Sequence, residues 1–256
     1  MSNLSLRLIS GAILLLIILL AFYLGPKAVI TLSGIVTFLL YAEILKATGG
    51  YKDNKFILLS PPICMASAFF VANYQIILFF LVLIVVIGLF SKNLRWLRLL
   101  AFFYVFVAQY LFLTIICEIP LLLNIHQPLF LLMVVVTSDT GGYMFGKLFG
   151  KKKLAPKISP KKTWEGTIGS FVVSLFGWFL LFKGFANNLI LEVILVIIVC
   201  ACAQIGDLIE SHVKRRLSVK DSSRIIPGHG GVFDRIDSIL GATFGYSIVI
   251  SFGFGI

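Results

Sequence analysis

Long apolar runs alternate with short polar segments along most of the chain. Each run is close to the roughly 20 residues that a helix needs to cross a hydrocarbon core of about 30 Å. The pattern predicts nine transmembrane helices, and therefore an all-α, polytopic integral membrane protein. The predicted spans are Leu8–Leu24, Ala28–Leu45, Phe56–Ala72, Tyr74–Phe90, Leu97–Cys117, Pro128–Phe145, Gly166–Phe182, Leu189–Gly206 and Ile236–Gly255.

The third and fourth runs are separated by little more than Asn73, so a tight helical hairpin competes there with one kinked or re-entrant passage. The basic residues favour the hairpin. If the N-terminus is cytoplasmic, every Lys and Arg except Lys27 and Lys183 falls on the cytoplasmic side, as the positive-inside rule requires. Merging the two runs would remove this bias. The first run lacks a small-residue cleavage site after it, and we expect it to be retained as a span.

The composition agrees with a membrane protein, since 59% of the residues are hydrophobic and 13% are charged. Soluble domains have about 45–50% apolar and about 25% charged residues. The net charge of +11 would suggest a nucleic-acid partner in a soluble protein. Here the basic residues lie between spans, where they set topology and contact anionic lipids, so we expect no nucleic-acid partner.

The acidic residues near the last two spans are the first candidates for chemistry. Asp207, Glu210 and Ser211 have the spacing of one helical face, and Asp234 and Asp237 are one turn apart at the start of the ninth span. If these helix ends meet, their carboxylates repel one another unless a cation joins them. Mg²⁺ is the cation that one or two carboxylates hold together with substrate phosphates.

Two further acids lie near span ends. Asp139 is late in the sixth span and is followed by two glycines, and an ionisable residue in a span indicates function. Glu43 has Lys46 three residues after it, so a surface ion pair is as good an interpretation as a functional site.

Basic and glycine residues surround the acidic pairs. The loop of residues 146–165 is rich in lysine, which by itself indicates an anchor to anionic headgroups. The loop of residues 207–235 contains Lys214, Arg215 and Lys220, and then the glycines and His229 of a PGHGGVFDR segment. Glycine lets backbone amides approach a phosphate. Carboxylates, a divalent cation and basic side chains together predict phosphoryl or nucleotidyl transfer.

The polar segment Ser211–Asp237 resembles the signature of CDP-diacylglycerol synthases, also called phosphatidate cytidylyltransferases. The matching positions are Ser211, Lys214, Arg215, Lys220, Asp221, His229, Gly230, Gly231, Asp234, Arg235 and Asp237. The resemblance continues upstream through Ser138–Gly166 and Gly206–Ser211, so it covers the C-terminal half closely.

This resemblance implies a reaction in which CTP and phosphatidate give CDP-diacylglycerol and pyrophosphate. It implies that Asp207 and Asp234 hold Mg²⁺, with K⁺ as a candidate neighbour, and that the enzyme is a homodimer. We expect catalytic roles for Asp207, Asp234, Lys214, Arg215, His229 and Asp237. We expect substrate-binding roles for Ser211, Lys220, Arg235, Gly230, Gly231, Lys161, Lys162 and Asp139.

The expected organisation is one membrane domain of residues 1–256, in which the spans of 1–127 form a scaffold and residues 128–256 the catalytic half. We expect a bacterial inner (plasma) membrane location, with the active site facing the cytoplasm. Three alternatives remain at this point. They are a CTP-dependent lipid kinase that releases CDP, a transporter with intramembrane acids, and a lipid-binding scaffold. A transporter usually has its charged site near the midplane, and a scaffold does not explain the clustered acids.

Overall fold

A computed structural model of the protein describes residues 3–47, 126–182, 188–219, 222–223, 225–226 and 230–251, and scattered positions between 101 and 112. In these ranges the chain is mostly helical, which confirms the predicted helical class. The third and fourth predicted spans lie outside the described residues. The fifth is described only at scattered helical positions.

Six helices and two short strands are described. The helices are α1 (Asn3–Leu24), α2 (Pro26–Ala47), α3 (His126–Phe149), α4 (Trp164–Leu181), α5 (Leu189–Arg216) and α6 (Phe233–Ser251). The strands are β1 (Lys153–Ala155) and β2 (Ser159–Thr163). Among the described residues, four stretches are long and apolar enough to cross a membrane: Lys27–Ile44, His126–Phe149, Trp164–Leu181 and Leu189–Arg216. The chain is therefore an integral membrane protein with helical spans.

The chain divides into two compact units. The first comprises Met1–Asn124 and Arg216–Ile236, and the second comprises Ile125–Arg215 and Asp237–Ile256. The expected assignment of a scaffold role to residues 1–127 and a catalytic role to residues 128–256 stays a prediction.

In the first unit, α1 and α2 are joined by the single residue Gly25. Its φ of +94° lies in the left-handed region that favours glycine, and Pro26 follows at the first position of α2, where a missing N–H has no consequence. Ala21 and Val29 are buried on either side of this turn, and Phe112 packs against them. This turn therefore fixes how the first two predicted spans pack together.

In the second unit, α3 and α4 pack through small residues. A Cβ on Gly141 would lie 2.5 Å from the carbonyl oxygen of Gly169, so the two backbones approach closely. The Ser170 hydroxyl donates to the Ser138 carbonyl oxygen at 2.7 Å. Small residues and interhelical hydroxyl bonds are typical of helix pairs in membranes, where apolar side chains alone give little driving force.

The polar connection between α3 and α4 is an ordered antiparallel hairpin of β1 and β2. The Thr163 side chain caps α4 by accepting from the Gly166 amide at 3.1 Å. The Glu165 carboxylate accepts from the amides of Lys151 and Lys152 at 3.1–3.3 Å. The all-α prediction did not include these strands. Hydropathy marks this segment only as a polar loop, since strand pairing outside the membrane leaves no apolar signal.

Helix α5 continues well past the predicted end of its span at Gly206, and reaches Arg216. Near its first turn, the Trp178 indole of α4 donates to the Glu192 carboxylate at 2.8 Å, and Glu192 is 2% exposed. Near its middle, a Cβ on Gly206 would lie 2.5 Å from the carbonyl oxygen of Asp237 in α6. The close approach at Gly206 places this part of α5 beside Asp237 of α6.

Candidate active site

Three carboxylates meet where α5 and α6 pack at Gly206. Asp207, Glu210 and Asp237 each offer an oxygen within 4.8 Å of the others, and we refer to these three residues as the carboxylate cluster. Glu210 and Asp237 are buried, with exposed fractions of 1% and 8%. The spacing of one helical turn puts Asp207 and Glu210 on the same face of α5. The structure thus brings together three of the four acids that sequence analysis considered for a meeting of the helix ends.

Two lysines form ion pairs with this cluster. The Lys162 ammonium of β2 lies 2.7 Å from Asp207 and also donates to the Gln204 carbonyl oxygen at 3.3 Å. The Lys214 ammonium lies 2.7 Å from Glu210, four residues earlier on α5. Taken alone, the spacing of four residues between Glu210 and Lys214 indicates an ordinary pair on the helix surface. The pair is present, but Glu210 is buried and also belongs to the cluster, so this is not an exposed pair on the helix surface.

Other predicted site residues of the second unit lie around the cluster. The Ser211 hydroxyl is 3.4 Å from the Asp207 carboxylate, to which it donates. Arg215 donates to the Ile158 carbonyl oxygen in the hairpin turn at 3.3 Å. Asp139 of α3 is exposed, yet it interacts electrostatically with Asp237. The hairpin, α3 and α5 therefore all contribute polar groups to one region.

Lys161 and Lys162, both predicted site residues, have different surroundings. Lys162 pairs with the carboxylate cluster. Lys161 is exposed on β2. Neighbouring residues of a strand point to opposite faces, so only one of the two lysines can face the cluster from this strand.

In the first unit, Asp234 organises the start of α6. One of its oxygens accepts from the Gly231 amide at 2.9 Å and from the Ser222 amide at 3.0 Å. Gly230 precedes this turn, and it forms an isolated antiparallel bridge with Ile226. Arg235, the next residue of α6, is exposed. Asp234 thus holds together the turn that leads into α6.

Glu43 is the residue whose environment differs most from expectation. It is 2% exposed, whereas Lys46 is exposed, so the surface-pair interpretation is wrong. Its carboxylate accepts hydrogen bonds from the hydroxyls of Ser222 and Ser223, and from two backbone amides at the point where α6 begins. Acidic residues are scarce in this chain, and that scarcity was the signal that could have marked Glu43 as functional. The sequence contains no signal for the residues that bind it.

Two predicted site residues, Lys220 and His229, lie outside the described residues. The expectation that Asp207 and Asp234 hold one metal ion concerns one residue of each unit, and it stays a prediction.

The carboxylate cluster meets the chemical requirements of a divalent cation. Hard cations such as Mg²⁺ prefer carboxylate oxygens, and three carboxylates so close together are unfavourable without positive charge nearby. Lys162 and Lys214 supply part of that charge. The oxygen donors of Asp207, Glu210 and Asp237 therefore suit Mg²⁺. The positive charges of the two paired lysines suit phosphate groups, which Mg²⁺ commonly binds as well.

Comparison with known proteins gives consistent results. The model of the family described as "Cytidylyltransferase family" matches residues 5–252. A Staphylococcus haemolyticus protein called phosphatidate cytidylyltransferase is 48% identical over 119 residues, which cover 46% of this chain and 46% of that protein. A Haemophilus influenzae protein of the same name is 46% identical over 121 residues, covering 44% and 42% of the two chains. The chain thus matches a little under half the length of these relatives.

Proposed function

Because this chain belongs to the cytidylyltransferase family, we propose that it transfers CMP from CTP to phosphatidate, giving CDP-diacylglycerol and pyrophosphate. The observation that carries the proposal is the carboxylate cluster with its two paired lysines. The relatives called phosphatidate cytidylyltransferase support the choice of substrates.

In the proposed reaction, a phosphate oxygen of phosphatidate attacks the α-phosphorus of CTP. The new bond joins that oxygen to the α-phosphorus. The bond from the α-phosphorus to the bridging oxygen breaks, and pyrophosphate leaves with the electron pair. The attacking group is already an anion, so no strong general base is needed. Catalysis then depends on positioning and on neutralising charge.

The residues of the cluster have separate proposed roles. Lys162 and Lys214 would exchange a carboxylate partner for phosphate oxygens, and Ser211 would orient one of those oxygens. Asp207 and Asp237 would hold Mg²⁺, with Asp234 added by the family resemblance. When bound, Mg²⁺ supplies positive charge to the phosphates. K⁺ is a candidate second ion.

The membrane arrangement is part of the proposal. We place nine helices in a bacterial inner membrane, with the N-terminus and the active site on the cytoplasmic side, because all but two of the 22 basic residues then face the cytoplasm. Phosphatidate would enter sideways from the cytoplasmic leaflet. A homodimer follows from the resemblance, and the mass of the purified protein in detergent would test it.

The test follows the fate of two differently labelled CTP molecules. Purified full-length protein is incubated with phosphatidate, Mg²⁺, and CTP labelled at either the α- or the γ-phosphate. The proposal expects the α-label in the lipid product and the γ-label in pyrophosphate. Transfer of the γ-label to lipid would instead make the protein a lipid kinase, and lipid counterflow in liposomes without nucleotide chemistry would make it a transporter.

A matched pair of variants links the activity to the cluster. Asp207→Asn removes one charge from the cluster and is expected to reduce CMP transfer at least 100-fold, on the scale of losing an electrostatic group of the reaction centre. Glu192→Gln removes a buried charge near the other end of the same helix and is expected to retain transfer. Full activity of Asp207→Asn would contradict the proposed site.

A further inference from the structure

Glu43 has a dense set of hydrogen bonds. It lies near the end of α2 and is 2% exposed. One carboxylate oxygen accepts from the Val232 amide at 2.8 Å and from the Ser223 hydroxyl at 2.5 Å. The other accepts from the Phe233 amide and the Ser222 hydroxyl, both at 2.9 Å. Each oxygen therefore receives one backbone N–H and one hydroxyl.

The two amides are those of Phe233, the first residue of α6, and of Val232 immediately before it, and N–H groups at a helix start have no acceptor within the helix. The helix dipole also places partial positive charge there, which favours a carboxylate. A residue of α2 thus caps a helix that begins about 190 positions later in the chain. This cap fixes the direction in which α6 starts.

Ser222 links Glu43 to Asp234. Its hydroxyl donates to Glu43, while its amide donates to Asp234 at 3.0 Å. Gly231 also lies close to both acids. Its amide donates to Asp234 at 2.9 Å. A Cβ on Gly231 would overlap the Ser222 hydroxyl and lie 2.8–2.9 Å from both oxygens of Glu43. The Glu43 carboxylate therefore packs directly against the turn that holds Asp234.

We infer that Glu43 is a positioning residue, which holds the turn at Gly231 and the carboxylate of Asp234 in place for nucleotide and metal binding. The inference rests on the proposed function, because it takes Asp234 and Gly231 as parts of the active site. Glu43 itself contacts neither substrate nor metal in this role.

Glu43→Gln tests the inference with little change in shape. Each carboxylate oxygen accepts from a backbone N–H, so the new NH₂ group faces a backbone N–H whichever oxygen it replaces. Two donors cannot form a hydrogen bond with each other. One buried amide then loses its acceptor, and its protection from hydrogen exchange should fall by about 5- to 150-fold. The control is Glu192→Gln, which replaces a buried glutamate that accepts from the Trp178 indole.

Two readouts on the full-length protein in lipid nanodiscs separate the possibilities. The first is hydrogen exchange in a peptide that covers residues 230–236, which reports the order of the turn without any catalysis. The second is the Mg²⁺ concentration that gives half-maximal CMP transfer. Glu43→Gln should raise it at least fivefold, because a displaced Asp234 binds the ion less well, whereas Glu192→Gln should leave it unchanged.

The outcomes distinguish this inference from the proposed function. If the wild type transfers no CMP, the proposed function fails, and hydrogen exchange still reports whether Glu43 orders the turn. If Glu43→Gln leaves the exchange of residues 230–236 unchanged, the inference is overturned. It is also overturned if transfer falls while the half-maximal Mg²⁺ concentration stays constant, since that result means only that less protein is folded.

Discussion

Replacing Lys214 by methionine would remove the ammonium that pairs with the most buried carboxylate of the cluster. Its Nζ lies 2.7 Å from Glu210, whose side chain is 2% exposed, while the Lys214 side chain is 17% exposed. Methionine keeps most of the length and apolar surface of the lysine stem. The substitution therefore isolates the charge.

The size of the effect follows from the geometry. Removing one partner of a buried ion pair costs about 3–5 kcal/mol, because the other charge stays buried. The repulsion between two carboxylates 4.8 Å apart, the upper limit within the cluster, is about 3.5 kcal/mol at an effective dielectric constant of about 20. Both figures describe the same uncompensated charge and are not added. Since Lys214 is partly exposed, we expect a loss near 3 kcal/mol, or about 6–12 °C in the midpoint of thermal unfolding.

The assay is thermal unfolding in detergent at one scan rate, with a chelator present. Lys157→Met, at an exposed lysine in the hairpin turn, is the matched control and should unfold like the wild type. The double variant of Lys214→Met with Glu210→Gln removes both charges and should be more stable than Lys214→Met alone. Mg²⁺ added in excess of the chelator should raise the midpoint of Lys214→Met more than that of the wild type. A midpoint of Lys214→Met within about 1 °C of the wild type, or a double variant with additive losses, would refute the reasoning.

Two further predictions concern the packing that positions the site. Gly206→Ala would place a Cβ 2.5 Å from the Asp237 carbonyl oxygen, so α5 and α6 must separate; we expect a loss of about 1–3 kcal/mol in thermal unfolding and reduced CMP transfer. Thr163→Ala removes the side-chain acceptor that caps α4 and should cost about 1 kcal/mol, while Thr163→Ser should unfold near the wild type. A Ser variant as unstable as the Ala variant would mean that the hydroxyl is not responsible.

The helices were predictable because hydrocarbon forces a backbone to satisfy its own hydrogen bonds. The predicted bounds of α2 and α4 differ from the observed ones by no more than two residues. The end of α5 was not predictable from the same signal, since hydropathy reports contact with lipid and not helical conformation. Its polar extension carries Asp207, Glu210 and Lys214, and the spacing of the two acids did indicate a shared helical face.

The sequence indicated that Asp207 and Glu210 would meet Asp237 only if the two helix ends approach each other. It did not indicate whether they do. The close contact that brings them together depends on Gly206, and a single glycine in a span does not reveal its partner. The surroundings of Glu43 were beyond prediction for a similar reason. Its partners lie 179–190 residues away, and no local pattern encodes a contact over that distance.

The same separation has a consequence for biosynthesis. A chain that grows at about 5–20 residues per second makes Glu43 roughly 10–40 s before Phe233, the last of its four partners. Until Ser222 is made, the carboxylate has none of the donors that later surround it, and its charge must be solvated by water or by lipid headgroups. Its place four residues before the end of α2 suits this requirement, because the end of a span can stay near the surface while the remaining chain is inserted. The burial of Glu43 is therefore a late event, completed when the start of α6 arrives.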